Sequence, residues 1–462
     1  MKCTVQRKRV LLVATTTGYQ IRSFGEAAET LGVQLVFASD RCSRLEDPWW
    51  DHAIPVRFHR EHQSIAAVLR ACTAARPDGI VAVGDRPVVL AARLAHAFGL
   101  PGHPPSAASA SRNKLLTRRA LDEAGLPTPW FDSVPIDGDI DALSRRIRYP
   151  AVVKPLALSG SRGVMRVDGA ADCVAAVNRL RTLLRAADVR VERDAAHDSV
   201  LVEGFIPGME YAVEALLDHG TFRLLALFDK PDPLDGPFFE ETIYLTPSNA
   251  PPGLQQRIVA AVADGARAIG LHHGPVHAEC RVDGTTVYVL EIAARPIGGL
   301  CSRALRFLDA DGHQRQGAGD SGLMSLEELL LRHATGQDVS RCVREPAASG
   351  VMMIPIPRRG IFRRVEGLDE ARAVPGVEDV RVTAKPDARI VPLPEARSYL
   401  GFIFARGGEP AAVERAIGAA HARLRFVIDR EVAVITPSPA AARSPAAARR
   451  PRQRRTPPDG GR

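Results

Sequence analysis

Apolar runs and amphipathic stretches alternate along this chain from its first residues. Residues 9–14, Arg-Val-Leu-Leu-Val-Ala, form a short continuous apolar run of the buried-strand type. Residues 21–31 carry apolar and small side chains at helical spacing, and residues 33–38 return to a strand pattern. Residues 79–85 and the alanine-rich helical stretch after Pro87 continue this β–loop–α–β order, which predicts a parallel sheet with right-handed crossovers. Residues 1–110 therefore read as a Rossmann-like unit. Its first loop, Thr15-Thr16-Thr17-Gly18, offers only Gly18 and lacks G-x-G-x-x-G, which disfavours a dinucleotide site.

A helix is predicted over residues 111–124, with Ser109 or Ser111 as N-cap and Gly125-Leu126-Pro127 as its stop. Lys114 falls in its first turn, where a cation gains nothing from the helix dipole, and this placement points to an anionic partner. A strand over residues 149–155 then carries Lys154, and the loop Leu158-Ser159-Gly160-Ser161-Arg162-Gly163 leads to a short strand at residues 164–167. Lysine, small-residue loop and strand suit a flap whose backbone N–H groups cover a phosphate, with Ser159, Gly160 and Gly163 at closest approach. No Gly-Lys-Ser/Thr opens a helix, so this is not a Walker A loop. Residues 200–213 join two strands through a bend holding Glu203, Gly204, Phe205, Ile206 and Glu210. Such a bend can read adenine with one backbone C=O and one N–H under apolar cover, leaving Glu210 for ribose hydroxyls.

The most informative stretch runs from His277 to Arg295. Residues 276–282 and 287–292 read as two strands around Asp283-Gly284, a strong hairpin signal. A two-residue turn would send Glu279 and Glu291 to opposite faces. A three-residue Asp-Gly-Thr loop with a glycine bulge would set His277 opposite Glu291 and bring both carboxylates to one face, and that register is predicted. Two hard-oxygen ligands on a rigid sheet suit Mg²⁺, and Arg295 just past the strand could reach a phosphoryl oxygen. Gly298 and Gly299 leave backbone accessible beside Arg295, and His277 could orient substrate or take a proton. The pair His272-His273 reads as loop rather than as metal ligands.

Composition changes little in this picture. The chain has 462 residues with 45% hydrophobic and 25% charged content, an ordinary soluble profile. It shows no run able to span a bilayer and no signal-like start, so the cytoplasm and no membrane partner are expected. Seven scattered cysteines without C-x-x-C spacing suggest neither disulfides nor zinc, and read as buried thiols. The net charge is +8, but the seven arginines and one aspartate from Thr436 onward account for +6 of it. The basicity belongs to an Ala/Pro/Arg tail over residues 436–462, expected to be disordered, and not to a nucleic-acid-binding face.

In order and spacing, these segments resemble the ATP-grasp superfamily across about residues 1–435. The resemblance implies an α/β ATP-grasp fold: a pre-domain at 1–110, an N-terminal subdomain at 111–202, a C-terminal subdomain at 203–345, and a small α+β domain at 346–435. It further implies that Lys114 and Lys154 contact ATP phosphates, with Lys230 as a further phosphate candidate. Gly204 C=O and Ile206 N–H would read adenine beside Glu203, Glu210 would hold ribose, and Glu279 and Glu291 would ligate Mg²⁺, with two ions expected. Many members read Glu-x-Asn-x-Arg where this chain has Glu291-Ile292-Ala293-Ala294-Arg295, and Ala293 cannot ligate metal. The branch of L-amino acid ligases that make dipeptides is similar in this respect, sharing the His-x-Glu strand and the acid-x-Ala-Ala-Arg strand end. An ATP-dependent ligase is thus implied, joining a small-molecule carboxylate to an amine through an acylphosphate, with Arg295 as oxyanion and phosphoryl donor. The alternatives are a bicarbonate-using carboxylase, disfavoured by the missing Asn and Glu-His, and a non-catalytic ATP-binding protein. A homodimer is expected by analogy with the carboxylase-like layout.

Overall fold

The computed structural model describes residues 7–16, 20–41, 53–309, 322–396 and 398–431. Gly18, Cys3, Cys42, most of the polar stretch 309–320 and the arginine-rich tail lie outside these residues. Among the described residues no helix is long and apolar enough to cross a membrane.

The apolar runs at the start form a four-stranded sheet in the order Ile54–Pro55, Gln34–Ser39, Arg9–Ala14, Gly79–Val83, with every pair parallel. Val10 to Val13 are fully buried because helices cover both faces, as a parallel sheet requires. The predicted single helix at 111–124 is instead two, Pro105–Arg112 and Lys114–Glu123. Asn113 separates them: its extended backbone breaks the first helix and its side chain accepts from Leu115 N–H at 3.0 Å and Leu116 N–H at 3.3 Å. The cap is therefore Asn113, not a serine, and it sets Lys114 at the first helical position.

A four-stranded antiparallel sheet follows, ordered Phe131–Pro135, Ser199–Gly204, Ala151–Pro155, Met165–Val167, with the helix Ala170–Leu184 packed on it. The expected boundary at 202/203 falls inside one of these strands. Glu203 pairs with both Phe131 and Val152, so it belongs to the smaller sheet.

The larger sheet has eight strands: Thr286–Ala293, Gly274–Asp283, Met209–Asp218, Thr221–Asp229, Ile243–Thr246, Ala348–Ile354, Gly401–Gly407 and Val377–Val382. The expected cut at 345/346 crosses it without a break, since Tyr244 pairs with Val351. One hydrophobic core links Phe24 and Val81 of the parallel unit to Phe228, Leu329 and Phe402. The helix Leu326–Ala334, started by a Ser325/Glu328 capping box, is wedged into that core.

The hairpin keeps both acids on one face by another route than predicted. Asp283 pairs with Thr286, so the turn is the two-residue Gly284-Thr285 and not Asp-Gly-Thr. The ladder then slips between Glu279 and Cys280, leaving Leu290 as the extra residue of a bulge, and Glu279 faces Glu291 directly. His277 lies opposite Ala293 rather than Glu291.

Candidate active site

Where the two large antiparallel sheets approach each other they enclose a cavity of about 470 Å³. Every residue proposed from sequence lines it except Gly163 and Lys230.

The acid pair at its base is flanked by cations. Lys114 Nζ stands 3.1 Å from Glu291 and donates to Leu158 O at 2.8 Å. Lys230, buried beneath the cavity wall, contacts Glu279 at 3.0 Å, Glu210 at 2.7 Å and Glu241 at 3.4 Å. Burial alone would lower the Lys230 pKa, but three carboxylates push it well up. Burial would raise Glu279, yet Lys230 and His277 hold it well below the usual carboxylate range. Glu241 takes the remaining cost: burial and the Glu279 charge push it up to about 7. One carboxylate oxygen from each of Glu210, Glu241 and Glu279 falls within a 4.8 Å cluster. Glu279 and Glu291, with Glu241 beside them, present hard oxygen donors of the kind that suits Mg²⁺. Lys230 thus serves as counter-ion to the acids, not as a group reaching a phosphate across the cavity.

The third lysine has the opposite balance, one acid against two cations. Lys154 Nζ is 2.6 Å from Glu203, which also meets Arg118 at 3.0 Å, and all three are buried. Burial lowers Lys154 more than Glu203 restores, with Arg118 adding repulsion, whereas Glu203 ends below its ordinary value despite burial because two cations face it. Arg118 also donates to Val289 O at 2.8 Å and Leu290 O at 3.5 Å, catching the carbonyls of the bulge.

At the bend, Gly204 N–H donates to Trp130 O at 2.9 Å and Phe205 N–H to Pro150 O at 3.1 Å. Arg281 Nη1 donates to Ile206 O at 2.7 Å, and the Phe205 ring lies under the Arg166 and Arg281 guanidiniums. Each Glu210 oxygen accepts from a cation, Lys230 at 2.7 Å and Arg281 at 3.0 Å, and keeps a further lone pair. The glycine loop turns through Gly160 (φ 64°) and Gly163 (φ 78°). Gly163 packs against Leu180 and Leu183 and donates its N–H to Pro394 O at 2.8 Å, tying the loop to the C-terminal unit.

At the other end, Arg295 donates through Nε to Asp85 Oδ1 at 2.8 Å and through Nη2 to Oδ2 at 3.3 Å. Burial would raise Asp85, but Arg295 lowers it, and the reciprocal attraction raises Arg295. His277 Nδ1 is 3.1 Å from the fully buried Glu214, whose oxygens also accept from Ile297 N–H at 3.1 Å. Burial disfavours a charged His277, yet its bonds to Glu214 and Glu279 push it up to about 9. Gly298 and Gly299 line the wall here, Gly299 at φ 62° against the Phe402 ring.

Sequence reasoning missed Asp85, Arg118, Glu214 and Glu241. Gly84-Asp85 at the carboxyl end of a parallel strand, where such folds place ligand-binding residues, was the available signal for Asp85. The other three carry no local signature. As expected, Cys72, Cys173, Cys280, Cys301 and Cys342 are buried.

A family model described as an ATP-grasp domain matches residues 147–304. Others, described as an ATP-grasp N-terminal domain and as L-amino acid ligase C-terminal domain 2, match residues 25–102 and 352–429. The crystal structure of an L-amino acid ligase from Bacillus licheniformis superposes with a TM-score of 0.77 at 26% identity, covering 92% of this chain and 100% of that one. Formate-dependent phosphoribosylglycinamide formyltransferase from Burkholderia lata is 30% identical over 374 residues, 78% of this chain and 83% of its own. Carnosine synthase 1 of Gallus gallus is 31% identical over 322 residues, 65% of this chain. The chain spans only 33% of that synthase and 50% of an ATP-grasp enzyme from Aspergillus fumigatus.

Proposed function

The chain belongs to the ATP-grasp superfamily, and from that premise we propose that it is an ATP-dependent carboxylate–amine ligase joining an amino acid to an amine or a second amino acid. The observation that carries this reading is the cross-strand Glu279–Glu291 pair, with a lysine at each carboxylate, in the same cavity as Arg295. The names of the L-amino acid ligase and the carnosine synthase favour amino-acid and amine substrates.

In the first step a substrate carboxylate oxygen bonds to the γ-phosphorus of ATP, the bridging P–O bond breaks, and ADP leaves with that electron pair. Two anions must approach each other, so charge neutralisation dominates the barrier. Lys114 and Lys154 supply cations along the triphosphate, and the bend at 203–206 seats the adenine with Glu210 on the ribose. Glu279 and Glu291 would hold Mg²⁺, which supplies Lewis-acid polarisation of the phosphoryl oxygens. Two ions are proposed, phosphate oxygens replacing the donor that Ala293 lacks.

In the second step the amine nitrogen attacks the acyl carbon, the C–O bond to phosphate breaks, and the phosphate leaves with the amine proton. Arg295, fixed by Asp85, donates to the oxygen that gains charge in both steps. Gly298 and Gly299 leave room for the substrate carboxylate or amine beside it. The loop at 158–163 covers the phosphates and keeps water from the acylphosphate. His277, held by Glu214, positions Glu279.

The test is phosphate release from Mg-ATP against single amino acids, amino-acid pairs and bicarbonate, with Glu291→Gln as control. Release only with particular amino acids, lost in the variant and accompanied by a condensed mass, is expected. Release driven by bicarbonate would replace the ligase with a carboxylase.

A further inference from the structure

The parallel unit meets the cavity at the carboxyl ends of two neighbouring strands, Arg9–Ala14 and Gly79–Val83, which pair with Ala14 beside Val83. In open parallel sheets the crevice outside such strand ends receives ligands. Asp85, just past the second strand, grips Arg295 from one lip. Gln20 follows the first strand and grips the same turn from the other lip. Its Nε2 donates to Ile297 O, while the Ile297 N–H is held by Glu214 at 3.1 Å. The chain is thus braced at Arg295 and again two residues on, and Gln20, Asp85, Arg295, Ile297 and Gly298 share one stretch of cavity wall.

The contact with Ile297 decides which way the Gln20 amide points. A backbone carbonyl can only accept, so the amide nitrogen must face it and Oε1 must face away. Gln20 is 4% exposed, yet Oε1 is not sealed: it accepts nothing from the described residues, and the surface it keeps opens on the cavity. An acceptor so placed takes its donor from whatever fills the cavity. Donation through Nε2 draws electron density toward Oε1 and makes it a better acceptor. Thr15, the first residue after strand Arg9–Ala14, lines the same cavity and adds a hydroxyl.

Resting on the ligase reading above, we propose that Gln20 Oε1 accepts a hydrogen bond from the ammonium group of the carboxylate substrate, so that the acyl donor is an amino acid and not a plain carboxylic acid. Position favours the acyl donor over the attacking amine. The donor's carboxylate lies against Arg295 when it is phosphorylated, and the α-nitrogen of an amino acid stands roughly 2.5 Å from its carboxyl carbon. Gln20 is bonded to the turn that Arg295 begins, so its oxygen meets that nitrogen while the carboxylate stays with the guanidinium. The carboxylates of Asp85 and Glu214 hold the two ends of the same turn, surroundings that suit a cation. A glutamic acid at position 20 would bring more charge, but ionised it could not donate to Ile297 O. The amide does both, bracing the turn with its nitrogen and reading the substrate with its oxygen. No bond to the ammonium forms or breaks in either step.

The test replaces the acceptor amine with hydroxylamine, so that hydroxamate formed by the full chain with Mg-ATP reports the acyl donor alone. A panel of L-amino acids is compared with the matching des-amino acids, in wild type and in the near-isosteric Gln20→Met. Wild type should favour the amino acid by about 10- to 100-fold in kcat/KM, the worth of one hydrogen bond to a charged group. Gln20→Met should bring that ratio down by about 10-fold or more, whereas a residue that only braced the turn would lower both donors together and leave the ratio where it was. Equal use of the des-amino acid by wild type overturns the assignment without any variant, and so does an unchanged ratio in Gln20→Met. Neither hydroxamate nor phosphate from any acid would remove the ligase reading itself, and this assignment with it.

Discussion

Glu279 and Glu291 face each other because one residue between the turn and the acids, Leu290, is left unpaired in the ladder. The carbonyls of Val289 and Leu290 that this bulge turns outward are held by Arg118, whose guanidinium also grips Glu203 behind Lys154. One arginine therefore braces both the acid register and the carboxylate that holds Lys154.

Removing either acid's charge should stop turnover without unfolding the chain. Glu279→Gln and Glu291→Gln are each expected to lower kcat for phosphate release by about 10²-fold or more, since a Lewis-acid contact is worth several kcal/mol. Steady-state rates across a Mg²⁺ titration check this; a variant with wild-type rate at saturating Mg²⁺ would remove that acid from the ligand set.

Arg118→Leu should cost about 3–5 kcal/mol, the penalty for leaving a buried carboxylate with one partner fewer and two carbonyls without a donor. Urea unfolding gives the number, and a loss below about 1 kcal/mol would show the arginine to be dispensable.

Acid stability follows from the same group. The folded pKa of Glu203 is depressed, so its contribution is present above its ordinary value of 4.5 and drains away as pH falls through the lower folded value. Unfolding free energy should fall as pH drops from about 4.5 through the lower folded value, and Glu203→Gln, though less stable at neutral pH, should show a shallower slope across that window. Parallel slopes would assign the acid sensitivity to other carboxylates.

Asp85→Asn keeps the shape but removes the charge that fixes Arg295. We expect kcat/KM to fall by about 10- to 100-fold, as for other partners that orient a functional group. Arg295→Lys, which loses the guanidinium fork, should cost about 10²- to 10³-fold. An unchanged Asp85→Asn enzyme would separate Arg295 from its anchor.

Gly163→Ala places a methyl group against Leu180 and Leu183 at φ 78°, a backbone state that alanine resists. The loop should shift off Pro394, raising KM for ATP while costing about 1–3 kcal/mol of stability. Unchanged KM would mean that the loop's docking has no part in nucleotide binding.

Local pattern carried much of this architecture. Apolar periodicity showed the parallel unit, and the strands bearing Lys154, Glu203, Glu279 and Glu291 could be read from their own residues. Two errors came from chemistry that a short window mistakes: Asn113 capping a second helix where a continuous one was expected, and a bulge at Leu290 doing what a longer turn was expected to do. Other misses are long-range by nature. Asp85 meets Arg295 across 210 positions, and Glu241 becomes a site acid only because Lys230 and Glu279 close around it. His277 was read without its buried partner Glu214, which lies 63 positions away in the chain.

The eight-stranded sheet places a limit on how this protein can be cut or recombined. Strand Ile243–Thr246 sits between Thr221–Asp229 and Ala348–Ile354, so ending the chain after residue 345 would strip one side of its backbone pairing. The exposed edge would also uncover Tyr244, whose hydroxyl contacts Glu241 and Glu279. A chimera exchanging the C-terminal unit therefore exchanges part of the catalytic wall, and a truncated chain presents a sticky strand to its neighbours in place of a folded enzyme.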